Sequence, residues 1–191
     1  MSTDRNVKIV AFVGLPGAGK SSAVDYVTEK KYPKVYFGGI VLEEMTKAGL
    51  EHTQENEKPF RENLRKREGK DFVVNQIIKQ IEGLIGAGQD RIVADGLYTW
   101  TEYKALKSAF PGELTTVAIV APRLLRHRRL AIRPVRPLTA DEATKRDWAE
   151  IENLEKGGPI AIADYYVIND GDIKKLHQRI DAVLDNIKFI V

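Results

Sequence analysis

Gly14-Leu15-Pro16-Gly17-Ala18-Gly19-Lys20-Ser21 fits the pattern G-x-x-x-x-G-K-[ST], and its flanks decide how it is read. Before it runs Val7-Lys8-Ile9-Val10-Ala11-Phe12-Val13, nearly continuous in apolar residues, as a strand buried on both faces of a parallel sheet is. After it, Ser21 to Lys30 has the composition of a helix. Glycines between a strand and a helix let successive N–H groups turn inward toward an anion, and the helix N-terminus adds its dipole. In such a loop Lys20 reaches the terminal phosphates of a nucleoside triphosphate, and the Ser21 hydroxyl is placed for Mg²⁺. Gly14, Gly17 and Gly19 have the wrong spacing for the dinucleotide pattern G-x-G-x-x-G. The expected ligand is therefore a nucleoside triphosphate.

Outward from this loop, strand-like runs alternate with helical patterns, which argues for a parallel sheet with helices on both faces. Lys34 to Phe37 reads as a second strand, punctuated by Gly38-Gly39 before a helix from Ile40 to Lys47. Glu51 to Lys70 is highly charged and is expected to be an exposed excursion with a helix from about Pro59 to Arg67. Val73, Val74, Ile77, Ile78, Ile81, Leu84 and Ile85 recur at helical spacing. Arg91 to Ala94, Leu114 to Ala121 and Tyr165 to Ile168 complete five strands, with a closing amphipathic helix from Ile173 to Ile187. The predicted fold is a three-layer α/β/α domain over residues 1–191 around a five-stranded parallel sheet.

Composition narrows the setting. The chain has 191 residues, which suits one core of ordinary size. It contains no cysteine, so disulfides and thiolate metal sites are excluded. The longest apolar runs are strand-sized and the first six residues do not resemble a secretion signal, so a cytoplasmic protein with no membrane anchor is expected. A net charge of +3 is mild, but arginine concentrates between Arg123 and Arg136.

Two further constellations carry chemistry. Asp95-Gly96 ends the third strand at the sheet edge where open α/β sheets bind ligands, and a carboxylate there complements Ser21 at Mg²⁺. A plain turn is the competing reading of this dipeptide. Arg126, Arg129, Arg133 and Arg136 are spaced by three, four and three, which predicts a shared helical face until Pro134 and Pro137 interrupt it. Guanidinium forks held in a row suit several phosphate oxygens at once, so residues 123–142 are expected to form a lid over them. An RNA or DNA surface and a solvated basic face are the alternatives for this stretch. Arg146 could add a further arginine, and Asn169-Asp170-Gly171 follows the last strand at the ligand edge.

Together these features resemble the nucleoside-monophosphate-kinase-like P-loop kinases, with closest similarity to an adenylate-kinase-like and dephospho-CoA-kinase-like group familiar from archaea. The similarity rests on the phosphate loop, Asp95-Gly96, the arginine-rich lid and Ala163-Asp164-Tyr165-Tyr166-Val167-Ile168-Asn169-Asp170-Gly171, supported by Gly49-Leu50-Glu51, Thr53, Glu55-Asn56, Leu64-Arg65 with Gly69, and Arg146-Asp147. The resemblance implies an ATP–Mg²⁺-dependent enzyme that phosphorylates a small molecule. Gly14, Leu15, Pro16, Gly17, Ala18, Gly19, Lys20, Ser21 and Ser22 would hold the donor phosphates. Ser21 and Asp95 would serve the metal. Arg126, Arg129, Arg133 and Arg146 would line the lid, and Asn169 to Gly171 would lie near the donor base. Residues 39–69 would cover the acceptor. In that group the second helix opens with Gly-Asp and an arginine three residues later, whereas this chain has Gly39 and Leu42. Tyr98 likewise stands near Asp95-Gly96, where an arginine is common. Arg61 and Arg65 are the substitutes expected beside Gly39 and Gly96 at the acceptor. The missing aspartate leans toward an acceptor that is already ionised, a nucleotide phosphate, while the closing motif resembles dephospho-CoA kinase more closely, so both acceptors stay open. The alternative reading is a nucleotide-binding ATPase or switch acting on a protein or RNA partner.

Overall fold

The computed structural model describes residues 6–190. Five strands, β1 (Lys8–Val13), β2 (Lys34–Tyr36), β3 (Arg91–Asp95), β4 (Leu114–Val120) and β5 (Tyr165–Ile168), form one parallel sheet in the order β2-β3-β1-β4-β5. The first strand lies at its centre, paired with β3 through Lys8 to Arg91 and Phe12 to Asp95, and with β4 through Ile9 to Leu114. Side chains alternate across a strand, so β1 feeds two cores. Ile9, Ala11 and Val13 face α2 (Phe37–Lys47), α4 (Phe72–Gly86) and α5 (Trp100–Ala109). Val10 and Phe12 face α1 (Lys20–Thr28) and α9 (Ile173–Asn186). Both faces are covered, which is why the run carries almost no polar residue. The expected five-stranded α/β/α architecture is the one observed.

Local boundaries differ from the sequence reading at three places. Gly38 and Gly39 do not separate β2 from a helix; α2 begins at Phe37 and takes both into its first turn. The Tyr36 ring occupies the adjacent space, so close that a Cβ on Gly38 would stand 2.4 Å from it. The charged excursion is ordered as α3 (Gln54–Glu68), five residues longer at its start than expected. Thr53 caps it by accepting from the Asn56 N–H, and Glu55 and Glu57 favour its positive end. Pro59 is thus carried inside the helix. Third, α6 (Arg123–Ile132) stops before the whole arginine row is used. Arg133 takes an extended ψ of 142° because it precedes Pro134, and Arg136 has a positive φ of 54°. The expected four-arginine face is therefore cut after Arg129. The chain continues through α7 (Ala140–Glu152) and the short α8 (Gly157–Ala161). Among the described residues no helix is long and apolar enough to cross a membrane.

Candidate phosphate-binding site

The loop from Gly14 to Gly19 leaves β1 at the carboxyl edge of the sheet and enters α1 directly. Gly19 is the N-cap, and no side chain caps the helix. Among the described residues, no backbone carbonyl accepts from the N–H groups of Gly17, Gly19, Lys20 or Ser21. Donors left unpaired at a helix N-terminus are groups that an anion can satisfy. The turn requires glycine at two points. Gly17 has a φ of 76° and Gly19 of 101°, and side chains there would collide with the Arg126 carbonyl at 2.6 Å and the Asn169 amide at 2.2 Å.

Asp95 stands at the end of β3, in register with Phe12 of β1 and Tyr36 of β2. Its Oδ1 lies 3.4 Å from Lys20 Nζ and its Oδ2 3.8 Å from Lys34 Nζ. Asp95, expected to serve the metal with Ser21, is thus brought to the loop through Lys20. Ser21 and Ser22 are exposed at the first turn of α1. A hydroxyl, a carboxylate and the oxygens of a bound nucleotide are hard ligands that suit Mg²⁺, an ion that keeps several waters of its own. The residues present fit that ion.

Expected lid arginines part company in space. Arg126 is buried and committed: its guanidinium makes two parallel 2.8 Å bonds to the Asp147 carboxylate and a third, 3.0 Å, to the Pro16 carbonyl. Asp147 also meets His127 Nε2 at 3.0 Å. Burial pushes the Asp147 carboxyl up, but the hydrogen bonds from Arg126 and His127 prevail and hold it below the ordinary aspartate value. Arg126 thus pins α6 and α7 to the phosphate loop. Arg129 donates to the Asn169 carbonyl at 3.1 Å and reaches its side-chain Oδ1 at 3.4 Å and the Gly171 carbonyl at 3.5 Å. Arg133 donates from Nε to the Arg136 carbonyl, 2.5 Å away, closing the turn after α6. Burial first, then the charges of Arg146 and Arg136, make Arg133 easier to deprotonate than a free arginine. Arg146 is held by Glu150 at 3.3 Å.

Asn169 is buried, and its amide donates to the Ala18 carbonyl at 2.8 Å. That commits the amide to supporting the loop from behind, where a base-contacting role was expected. Gly171 is exposed beyond it. On the other flank, Arg65 on α3 approaches Glu102 at 3.8 Å, and Glu102 caps the start of α5 just after Tyr98. Arg61 pairs loosely with Glu57 at 3.5 Å and adds positive charge near Tyr98. So α3 brings Arg61 and Arg65 toward the segment that follows Asp95-Gly96.

Sequence reasoning leaves the roles of three residues at this edge unread, although Tyr98 stands where an arginine is common. Tyr98 sits with Lys20 Nζ 5.3 Å and Lys156 Nζ 4.5 Å from its ring centroid. Burial, then the negative charge of Asp95, push its phenol up to about 12, so it is a neutral donor at pH 7. Lys156 is only 4% exposed and is paired with Glu150. Burial lowers its proton affinity, Glu150 partly restores it, and the charges of Lys20 and Arg146 lower it further. Lys34 is the third. No spacing rule marks these positions, because the sheet order and the α7–α8 turn bring them in from separate parts of the chain.

No model of a known protein family matches the chain. A UPF0200 protein of Thermococcus gammatolerans is 34% identical over 182 residues, covering 94% of this chain and 95% of its own. Among solved structures, shikimate kinase from Acinetobacter baumannii in complex with shikimate superposes with a TM-score of 0.60 at 19% identity, over 95% of this chain and 96% of its own. A gluconokinase from Sinorhizobium meliloti gives 0.55 at 16% identity, over 97% of each chain. At such identities these two likenesses show a shared P-loop kinase fold.

Proposed function

We propose that this chain, which belongs to the UPF0200 family, is an ATP–Mg²⁺-dependent phosphotransferase that moves the γ-phosphoryl group to a small-molecule acceptor, a nucleotide or dephospho-CoA. The observation that carries this reading is the meeting of Lys20 with Asp95, 3.4 Å apart, at the mouth of a loop whose N–H groups lack carbonyl partners. The kinase names of the two structural neighbours support it.

The proposed mechanism needs little covalent work from the protein, because phosphoryl transfer is governed by positioning and charge. Residues 14–22 hold the donor phosphates, with the N–H groups of Gly17, Gly19, Lys20 and Ser21 as donors. Lys20 leaves Asp95 for the β- and γ-phosphates, exchanging one anion for another. Ser21 and Asp95 would hold Mg²⁺, which would neutralise charge on the transferring phosphoryl group. Arg129, Arg133 and Arg146 approach from the α6–α7 side and exclude water; excluding water favours transfer over hydrolysis. Gly39 and Gly96, with Arg61 and Arg65 beside them, border the acceptor. Four cationic side chains, Lys34, Arg61, Arg65 and Lys156, surround this flank, and the aspartate common at position 39 is absent. Both features favour an acceptor that is itself a phosphate.

The test is ADP formation from Mg–ATP across nucleoside monophosphates, nucleosides and dephospho-CoA, against a control with no acceptor. One acceptor raising turnover tenfold or more above the control is the expected result. Equal rates with and without every acceptor would replace the kinase by a nucleotide-driven switch acting on a protein or RNA partner. Lys20→Ala should abolish turnover while its circular dichroism stays that of the parent; turnover surviving in that variant would sink the mechanism.

A further inference from the structure

Lysine is almost never fully buried unless something pairs with its charge. Lys156 is buried, and its pairing with Glu150 explains how it is tolerated without explaining why a lysine stands there. The turn that carries it is held down: Gly158 packs on the Trp100 ring at the start of α5, and Lys156 lies over Tyr98. Tyr98 presents the same ring to Lys20. The two ammonium groups are therefore within about 10 Å of each other, in a part of the protein with low effective dielectric, where like charges repel.

The carboxylates nearby are oversubscribed. Asp95 faces both Lys20 and Lys34, and Glu150 is shared between Lys156 and Arg146. Three cations from three segments thus face two carboxylates around the mouth of the phosphate loop, before Lys34 is counted. The charge this arrangement lacks is that of an anion between Lys20 and Lys156. Lys156 arrives from the α7–α8 turn and Lys20 from α1, so an anion held by both is gripped from two separate segments. Lys20 of such a loop reaches the terminal phosphates, so a second ammonium beside it meets that end of the chain.

We propose that Lys156 is a second phosphate-gripping ammonium of this site, placed opposite Lys20 to hold the γ-phosphoryl group, with Glu150 retaining it until nucleotide binds. This rests on the nucleotide-binding reading given above. As the γ-phosphate takes the Lys156 charge, the Glu150 carboxylate is left to Arg146, which ties α7 to the loaded state.

The measurement is calorimetric binding of Mg–ATP and of Mg–ADP to the full chain and to K156M, K156R and E150Q. The expected result is a loss of tenfold or more in Mg–ATP affinity for K156M, with Mg–ADP affinity unchanged within twofold, and recovery of most of the loss in K156R. E150Q, which releases the lysine, should bind Mg–ATP at least as tightly as the parent. Equal losses for both nucleotides, or none for either, would overturn the proposal and leave Lys156 a structural cation. Should K156M fail to fold because Glu150 is stranded, K156M/E150Q removes the stranded charge and carries the same comparison. A parent chain that binds neither nucleotide would defeat the underlying reading, an outcome distinguishable because it appears before any substitution is made.

Discussion

Removing the Asp147 carboxylate should be among the most costly single changes in this protein. Asp147→Ala leaves the Arg126 guanidinium with one neutral acceptor, the Pro16 carbonyl, in place of two 2.8 Å charge-assisted bonds. The side chains are 7% and 8% exposed, so water cannot replace what is lost. Stranding one partner of a buried ion pair costs about 3–5 kcal/mol. In a chain of this length each kcal/mol moves the midpoint by about 2–4 °C, giving a fall of about 6–20 °C. Thermal unfolding followed by circular dichroism at pH 7 measures it. Arg126→Met with Asp147→Leu, which removes both charges, should recover most of the loss. The pH dependence follows from the lowered carboxyl. Asp147's contribution is complete above the ordinary aspartate value of about 4 and disappears as pH falls through its lower folded value. An Asp147→Ala protein with the parental midpoint at pH 7 would refute the reasoning and return Arg126 to the lid as a free cation.

Gly19→Ala should abolish Mg–ATP binding in calorimetry and lower the melting temperature, since its Cβ would meet the Asn169 amide 2.2 Å away at a φ of 101°. Asn169→Ala leaves the Ala18 carbonyl without its 2.8 Å donor, and the expected outcome is a fall of about tenfold in Mg–ATP affinity, about 1.4 kcal/mol. Asp164→Asn should cost about 1 kcal/mol in urea unfolding at pH 7, because the carboxylate accepts from the Thr116 N–H and hydroxyl at 2.7 Å and from Lys107 at 2.8 Å while remaining partly exposed. Burial raises the Asp164 carboxyl but those partners pull it lower, so this cost should be complete above about pH 4 and vanish only as pH falls through the lower folded value, where both proteins lack the charge.

The sheet and the phosphate loop were legible because each rests on a short-range rule. Apolar runs such as Ile9 to Val13 are long enough to mark a doubly buried strand, and the Gly/Lys/Ser spacing encodes a local backbone shape. Helix starts were less legible. Gly38-Gly39 reads as punctuation until the Tyr36 ring is seen lying against it, and Thr53 was overlooked as a cap because Pro59 offered a louder signal. The arginine row shows the limit of periodicity. Its spacing is helical, yet Pro134 forces Arg133 out of the helix, and Asp147, twenty-one positions downstream of Arg126, decides what that arginine does. Lys156 was illegible, and Tyr98 legible only as the place of a missing arginine, because their importance comes from a meeting of distant segments.

The central position of β1 sets a problem of timing during synthesis. Its neighbours in the sheet begin at Arg91 and Leu114, so the ribosome releases the most apolar strand of the protein roughly 80 residues before either can pair with it. At about 5–20 residues per second, Ile9 to Val13 waits about 4–16 seconds with both edges open. Such a segment is a template for pairing with other nascent chains. Lys8 before it and Lys20 after it put positive charge at each end, where like charges on two chains repel. The lysine that grips phosphate in the finished protein is thus, for its first seconds, also a guard against aggregation.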